Sequence, residues 1–135
     1  MAFNITSSKK EFTYRGKTME DMLKLDIREF AKLLKSRARR SVLRHFDIIE
    51  RFVQESRKKQ ENGKQIKTHL RQMIVVPPMV GMKIAIHNGK EFVNIQVEKE
   101  MLGHRFGEFV ATRQKVEHGA PGIGATKSSG AMSVK

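Results

Sequence analysis

The chain has 135 residues and carries 27 Lys and Arg against 14 Asp and Glu, a formal net charge of +13. With 39% apolar residues it can bury the core of one domain, and its charge calls for an acidic partner, nucleic acid before an anionic membrane. The absence of cysteine excludes disulfides and thiolate metal sites; no apolar run approaches the ~20 residues of a membrane-spanning helix, and MAFNITSSKKEF has no signal-peptide core, so a soluble intracellular protein is expected.

The basic excess is spread along the chain. Residues 1–65 hold 17 basic against 9 acidic side chains, and residues 66–135 hold 10 against 5. Neither half is a detachable basic arm, so the folded body itself is expected to face the polyanion.

In chain order, residues 1–12 read as a loosely ordered arm and Tyr14-Arg15-Gly16-Lys17 as a turn. Thr18 with Asp21, and Asp26 with Glu29, resemble capping boxes. They predict a helical turn at about 19–24 and a second helix from about 27, with Phe30, Leu33 and Leu34 on one face. Val42, Phe46, Ile49 and Val53 then recur at helical spacing, with Leu43 and Phe52 widening the stripe. One long helix over about 40–61 is expected, ended by Asn62-Gly63. Its charged faces fit a solvated helix with pairs such as Glu55–Lys59. The cluster Arg37, Arg39, Arg40 and Arg44 contains no acidic residue, which favours phosphate contact there, because uncompensated like charges repel.

Residues 64–72 are basic. Met73 to Val76 reads as a strand or extended segment, stopped by Pro77-Pro78. Lys83 to His87 reads as a strand, Asn88-Gly89 as a type I′ hairpin turn, and Phe92 to Val97 as the returning strand with one apolar face. Glu98 to Met101 suggests a brief helical turn, broken by Gly103 and again by Gly107, with Phe106 and Phe109 as core anchors. From about Lys115 the chain becomes glycine-rich and non-periodic, and has no acidic residue after Glu117. Alone in water such a tail is expected to be disordered or extended, and to order on RNA.

Catalytic and metal chemistry find little support. Gly119 and Gly124 are spaced as in a phosphate-binding loop, but Lys127-Ser128 comes two residues late and too little chain follows for a helix. No two of His45, His69, His87, His104 and His118 stand four apart, so zinc is not expected. His104 with Glu108 could form an acid–base pair, yet no nucleophile or oxyanion context surrounds it. No enzyme activity, metal or cofactor is expected. Lys83, His87, Lys90, His104, Arg105, Arg113 and Lys115 fall at strand ends, the hairpin tip and glycine turns. Such positions suit contacts to the phosphates, sugars and shape of A-form RNA.

One pattern is more specific: Asn88-Gly89-Lys90, six residues, Val97, four residues, Leu102-Gly103, two residues, Phe106-Gly107-Glu108-Phe109, two residues, Thr112. With Phe12 to Gly16, Lys67 to Arg71 and the tail His118 to Lys127, it resembles the small-subunit ribosomal protein nineteen family in its archaeal and eukaryotic form, over roughly residues 10–130. The resemblance implies an α+β fold of N-terminal helices on a small three-stranded sheet with an extended C-terminal tail. The chain is expected to divide into an arm (1–12), a helical region (13–63), a sheet region (64–114) and a tail (115–135). The resemblance implies a structural role in the head of the small ribosomal subunit, in the cytoplasm. The partners implied are small-subunit ribosomal RNA, small-subunit ribosomal protein thirteen, and transfer RNA near the tail, with no membrane and no homo-oligomer. It adds Arg15, Lys67, His69, Arg71, Asn88, His118 and Lys127 to the expected RNA contacts. An RNA- or DNA-binding regulator outside the ribosome is the alternative.

Overall fold

A computed structural model of the chain describes residues 11–115. A two-stranded ribbon, β1 (Thr13–Tyr14) and β2 (Lys17–Thr18), leads into four helices. These are α1 (Met19–Lys24), α2 (Ile27–Leu33), α3 (Ser36–Arg44) and α4 (Phe46–Glu61). A three-stranded sheet follows, with β3 (Ile66–Thr68) parallel to β4 (Lys83–His87) and β4 antiparallel to β5 (Phe92–Gln96). The fold is therefore α+β, as the family resemblance implies.

The first two helices form where their caps stand. Thr18 Oγ1 accepts the Asp21 N–H at 3.3 Å, and Glu29 accepts the Asp26 N–H at 3.3 Å. Helix α2 turns Ile27, Phe30 and Ala31 into the core. Burying a side chain as large as Phe30 stabilises the fold by about 1.5–3 kcal/mol.

The expected single helix over 40–61 is two helices. The chain is already helical at Ser36 and breaks at His45, whose φ and ψ are −112° and 25°. No glycine or proline stands there. His45 N–H donates to Ser41 O at 3.1 Å, and His45 O accepts the Ile49 N–H at 3.0 Å. The residue thus closes α3 and opens α4. Val42 of α3 and Ile49 and Val53 of α4 lie in one core, while Leu43 and Ile48 are 50% and 46% exposed. Leu43 therefore does not widen the buried stripe.

Met73 to Val76 is not a sheet strand. It lies in the crossover from β3 to β4, and all four side chains are buried. Parallel neighbours need a connection of a dozen or more residues, and here that connection passes through the core. The third strand is instead the short β3, where Ile66 and Thr68 are buried and Lys67 is exposed. Ile66, Ile84 and Ile86 join Met22, Phe30, Val42, Ile49 and Phe106 in a single apolar cluster. Helical and sheet regions thus share one core.

The β4–β5 connection also differs from expectation. Gly89 has φ +108°, but Asn88 does not have positive φ, so the turn is not type I′. The Asn88 side chain takes over instead: Oδ1 accepts the N–H groups of Lys90 and Glu91, both at 2.8 Å. This makes a four-residue loop closed by the Asn88 N–H to Glu91 O bond at 3.0 Å. Two successive positive φ values occur in the first ribbon, at Arg15 (+50°) and Gly16 (+79°).

Candidate nucleic-acid interface

The glycine turn after β5 is built against the crossover. Gly103 N–H donates to Val75 O at 3.1 Å, and Val75 N–H to His104 O at 2.9 Å. Phe106 N–H donates to Met73 O at 3.0 Å, and Gly107 N–H to Arg71 O at 2.8 Å. Leu102 and Phe106 are buried, while Phe109 packs half-buried against the core. Brief 3-10 turns at Lys99–Met101 and Phe106–Glu108 flank Gly103, whereas Gly107 lies inside the second turn and does not break it.

Gly103 is required twice over. Its φ is +78°, and a Cβ there would stand 2.8 Å from Tyr14 Oη and 2.9 Å from Leu34 Cδ2. Gly103→Ala is expected to destabilise the fold by about 2–3 kcal/mol, combining left-handed strain with overpacking. Gly63→Ala has a similar φ but open space around its Cβ, and should cost about 1–2 kcal/mol. Urea midpoints of the two variants check the difference.

Arg71 sits at the centre of this construction. Its Nη1 donates to His87 O at 2.7 Å, and its Nη2 to Gly107 O at 3.0 Å and Val110 O at 2.6 Å. One half-buried guanidinium therefore ties the end of β4 to the glycine turn and the segment beyond it. Arg71, one of the residues expected to contact RNA, thus acts as an internal brace. Arg39 is likewise engaged, donating through Nη2 to Lys32 O at 3.0 Å and Leu34 O at 3.4 Å. It closes the C-terminus of α2 from α3.

The remaining expected contacts are spread over several elements. Arg37, Arg40 and Arg44 are exposed on α3. Arg37 and Arg105 line one cleft of about 200 Å³ with Ser41, His45, Ile48 and Leu70. Lys67, His69 and His87 converge at the sheet, and Lys83 is exposed at the start of β4. Arg15 is exposed at the tip of the first ribbon and Lys90 in the β4–β5 loop; Asn88 is half-buried. Arg113 and Lys115 are exposed beyond the glycine turn. His118, Lys127 and the Gly119–Ser128 stretch lie outside the described residues.

Carboxylates do not neutralise this surface locally. Among the described residues the one ion pair is His104 Nδ1 to Glu108 Oε2 at 2.6 Å. The expected Glu55–Lys59 pair is not formed, and no arginine or lysine of the described residues is in an ion pair. Glu108 is held below the usual glutamate range, chiefly by the His104 hydrogen bond, with slight burial opposing and the Arg105 N–H assisting. A lowered carboxyl stabilises the fold above the ordinary value of about 4.3. That contribution is lost as pH falls through the lowered value.

Some participants carry no sequence signal. The Arg28 guanidinium lies 4.4 Å from the centre of the Phe46 ring and braces α2 on α4. His45 and Gln72 line the cleft through contacts that close only in three dimensions. Among the described residues, no three His, Asp or Glu side chains form a metal-binding group, and no helix is long and apolar enough to cross a membrane.

A family model described as Ribosomal protein S19 matches residues 35–118. The match spans more than half of the chain. This chain belongs to the ribosomal protein S19 family. Its place is the ribosome and its role is structural rather than enzymatic, so the His104–Glu108 pair needs no catalytic account. In this S19 chain the matched segment runs from α3 through the sheet to the glycine turn. It contains both the exposed arginines and the Arg71 brace.

Proposed function

We propose that this S19 protein binds ribosomal RNA in the head of the small subunit through its folded body, and extends residues 115–135 toward the decoding region. The observation that carries this reading is the unpaired state of its cations: no lysine or arginine of the described residues meets a carboxylate in an ion pair, in a chain of formal charge +13. A polyanion that releases counterions on binding is the natural complement of such a surface. Arg37, Arg40 and Arg44 present charge from one rigid helix, Lys67 and Lys83 from the sheet, and Arg105, Arg113 and Lys115 from the glycine turn onward. Arg71 and Arg39 hold these elements in register.

The family's archaeal and eukaryotic form is the branch proposed, on the tail pattern His118 to Lys127. Small-subunit ribosomal protein thirteen is the proposed protein neighbour, transfer RNA the neighbour of the tail, and the cytoplasmic ribosome the location, with no homo-oligomer. The arm (1–12), helical region (13–63), sheet region (64–114) and tail (115–135) are the proposed functional divisions.

Salt tests the reading. Affinity for transcribed small-subunit ribosomal RNA should fall on the order of a thousandfold between 50 and 200 mM salt, if about six phosphates are contacted. A shallow dependence would remove the electrostatic basis of the proposal.

A further inference from the structure

The outer face of the sheet is where chemistry accumulates without an evident structural need. Lys67 pairs in register with Ala85, and Ala85 with Asn94. Lys83 pairs with Gln96, and His87 with Phe92. Side chains on one face alternate along each strand, so these residues share the face opposite Ile84 and Ile86, which lie in the core. None of them is acidic.

At one end of this face three rings meet. The His69 and His87 centroids are 4.5 Å apart, His69 and Phe92 are 5.1 Å apart, and His87 and Phe92 are 4.9 Å apart. His69 is exposed, and His87 and Phe92 are half-buried. Lys67 Nζ stands 5.3 Å from the centre of the Phe92 ring. Ala85, the register partner of Lys67 on β4, is fully buried. An exposed ammonium group thus stands beside the rings. The Gly89 N–H donates to His87 Nδ1 at 3.1 Å, which leaves the His87 ring proton on Nε2 as a free donor. At the other end, Gln65 Nε2 donates to Asn94 Oδ1 at 2.7 Å, beside exposed Lys83 and Gln96.

The geometry points to this face as a binding site for an unpaired RNA nucleotide, with the base stacked on the His69–His87–Phe92 rings and its phosphate taken by Lys67. The inference rests on the RNA-binding reading above and makes it specific. Bases splayed from loops and bulges are bound on aromatic side chains, whereas duplex RNA is met through phosphates and sugars. Lysine at Lys67 and Lys83, with no carboxylate on the face, complements a nucleic-acid backbone and not a basic protein neighbour.

The test compares full-length Phe92→Leu, which keeps apolar volume, with Phe92→Tyr, which keeps a ring. Both are titrated against transcribed small-subunit ribosomal RNA, with thermal melts as the control on folding. Stacking on an aromatic side chain is worth 1–3 kcal/mol per base, so Phe92→Leu should bind roughly five- to a hundredfold more weakly with an unchanged salt slope. Phe92→Tyr should bind as the parent does. Ultraviolet irradiation of the parent complex should link the peptide spanning residues 87–96 to an unpaired nucleotide. If Phe92→Leu binds like the parent, or that peptide links only to protein in assembled subunits, the stacking site is wrong and the RNA-binding reading stands. A shallow salt dependence of the parent would defeat both.

Discussion

Arg71→Met is expected to destabilise the protein by about 3–5 kcal/mol, because three buried or half-buried carbonyls lose a charged donor together. Those carbonyls belong to His87, Gly107 and Val110, which lie far from Arg71 in sequence and at separate places in the fold. Methionine preserves much of the side-chain volume, so the loss reports hydrogen bonding more than packing. A lysine has one ammonium and cannot reproduce a planar fork of donors. Arg71→Lys should therefore recover only part of the stability. Urea unfolding of the two variants checks this. A methionine variant within about 0.5 kcal/mol of the parent, the range of ordinary surface changes, would show that the brace is not structural. The outcome bears on function, since Arg71 fixes the glycine turn from which Arg105 reaches the cleft shared with Arg37.

Helices α1 and α2 were legible because their signals are local. Thr18 and Asp21, and Asp26 and Glu29, lie within one turn, and the structure forms the bonds that their spacing predicts. Strands β4 and β5 were legible through alternation. The break at His45 had no local signal, since its backbone bonds to Ser41 and Ile49 resemble those of a continuous helix. Met73 to Val76 read as a strand or an extended segment because a short apolar run suits any buried extended role, and the structure takes the second form. The true edge strand, Ile66-Lys67-Thr68, is three residues long, too short for its alternation to stand out. At Asn88-Gly89 the turn residues were right and the turn type was not, because the Asn88 side chain caps two N–H groups in place of a positive φ.

The site was legible as charge and composition, not as geometry. A basic residue in sequence says nothing of whether its donors meet main chain or solvent. Arg71 and Arg37 are indistinguishable as letters, yet one is fixed on three carbonyls and the other is exposed. The ring cluster of His69, His87 and Phe92 depends equally on the sheet register that brings β3, β4 and β5 together.

The second large effect concerns α3. Arg37, Arg40 and Arg44 are exposed, unpaired with carboxylates and not engaged in bracing through their guanidinium groups. Replacing all three by glutamine should weaken binding to small-subunit ribosomal RNA on the order of a hundredfold at 0.1 M salt, because each phosphate contact contributes through counterion release. The fold should keep its stability within about 1 kcal/mol, as surface substitutions do. Arg39 is left out of the set because its loss would also uncap α2.

The most direct measurement is the salt dependence of affinity for the parent chain and this triple variant on the same transcribed RNA. A steep slope is expected for the parent and one shallower by about 2–3 units for the variant, at equal folding stability. Identical slopes for the two proteins would contradict the claim that the exposed arginines of α3 carry the contact with ribosomal RNA.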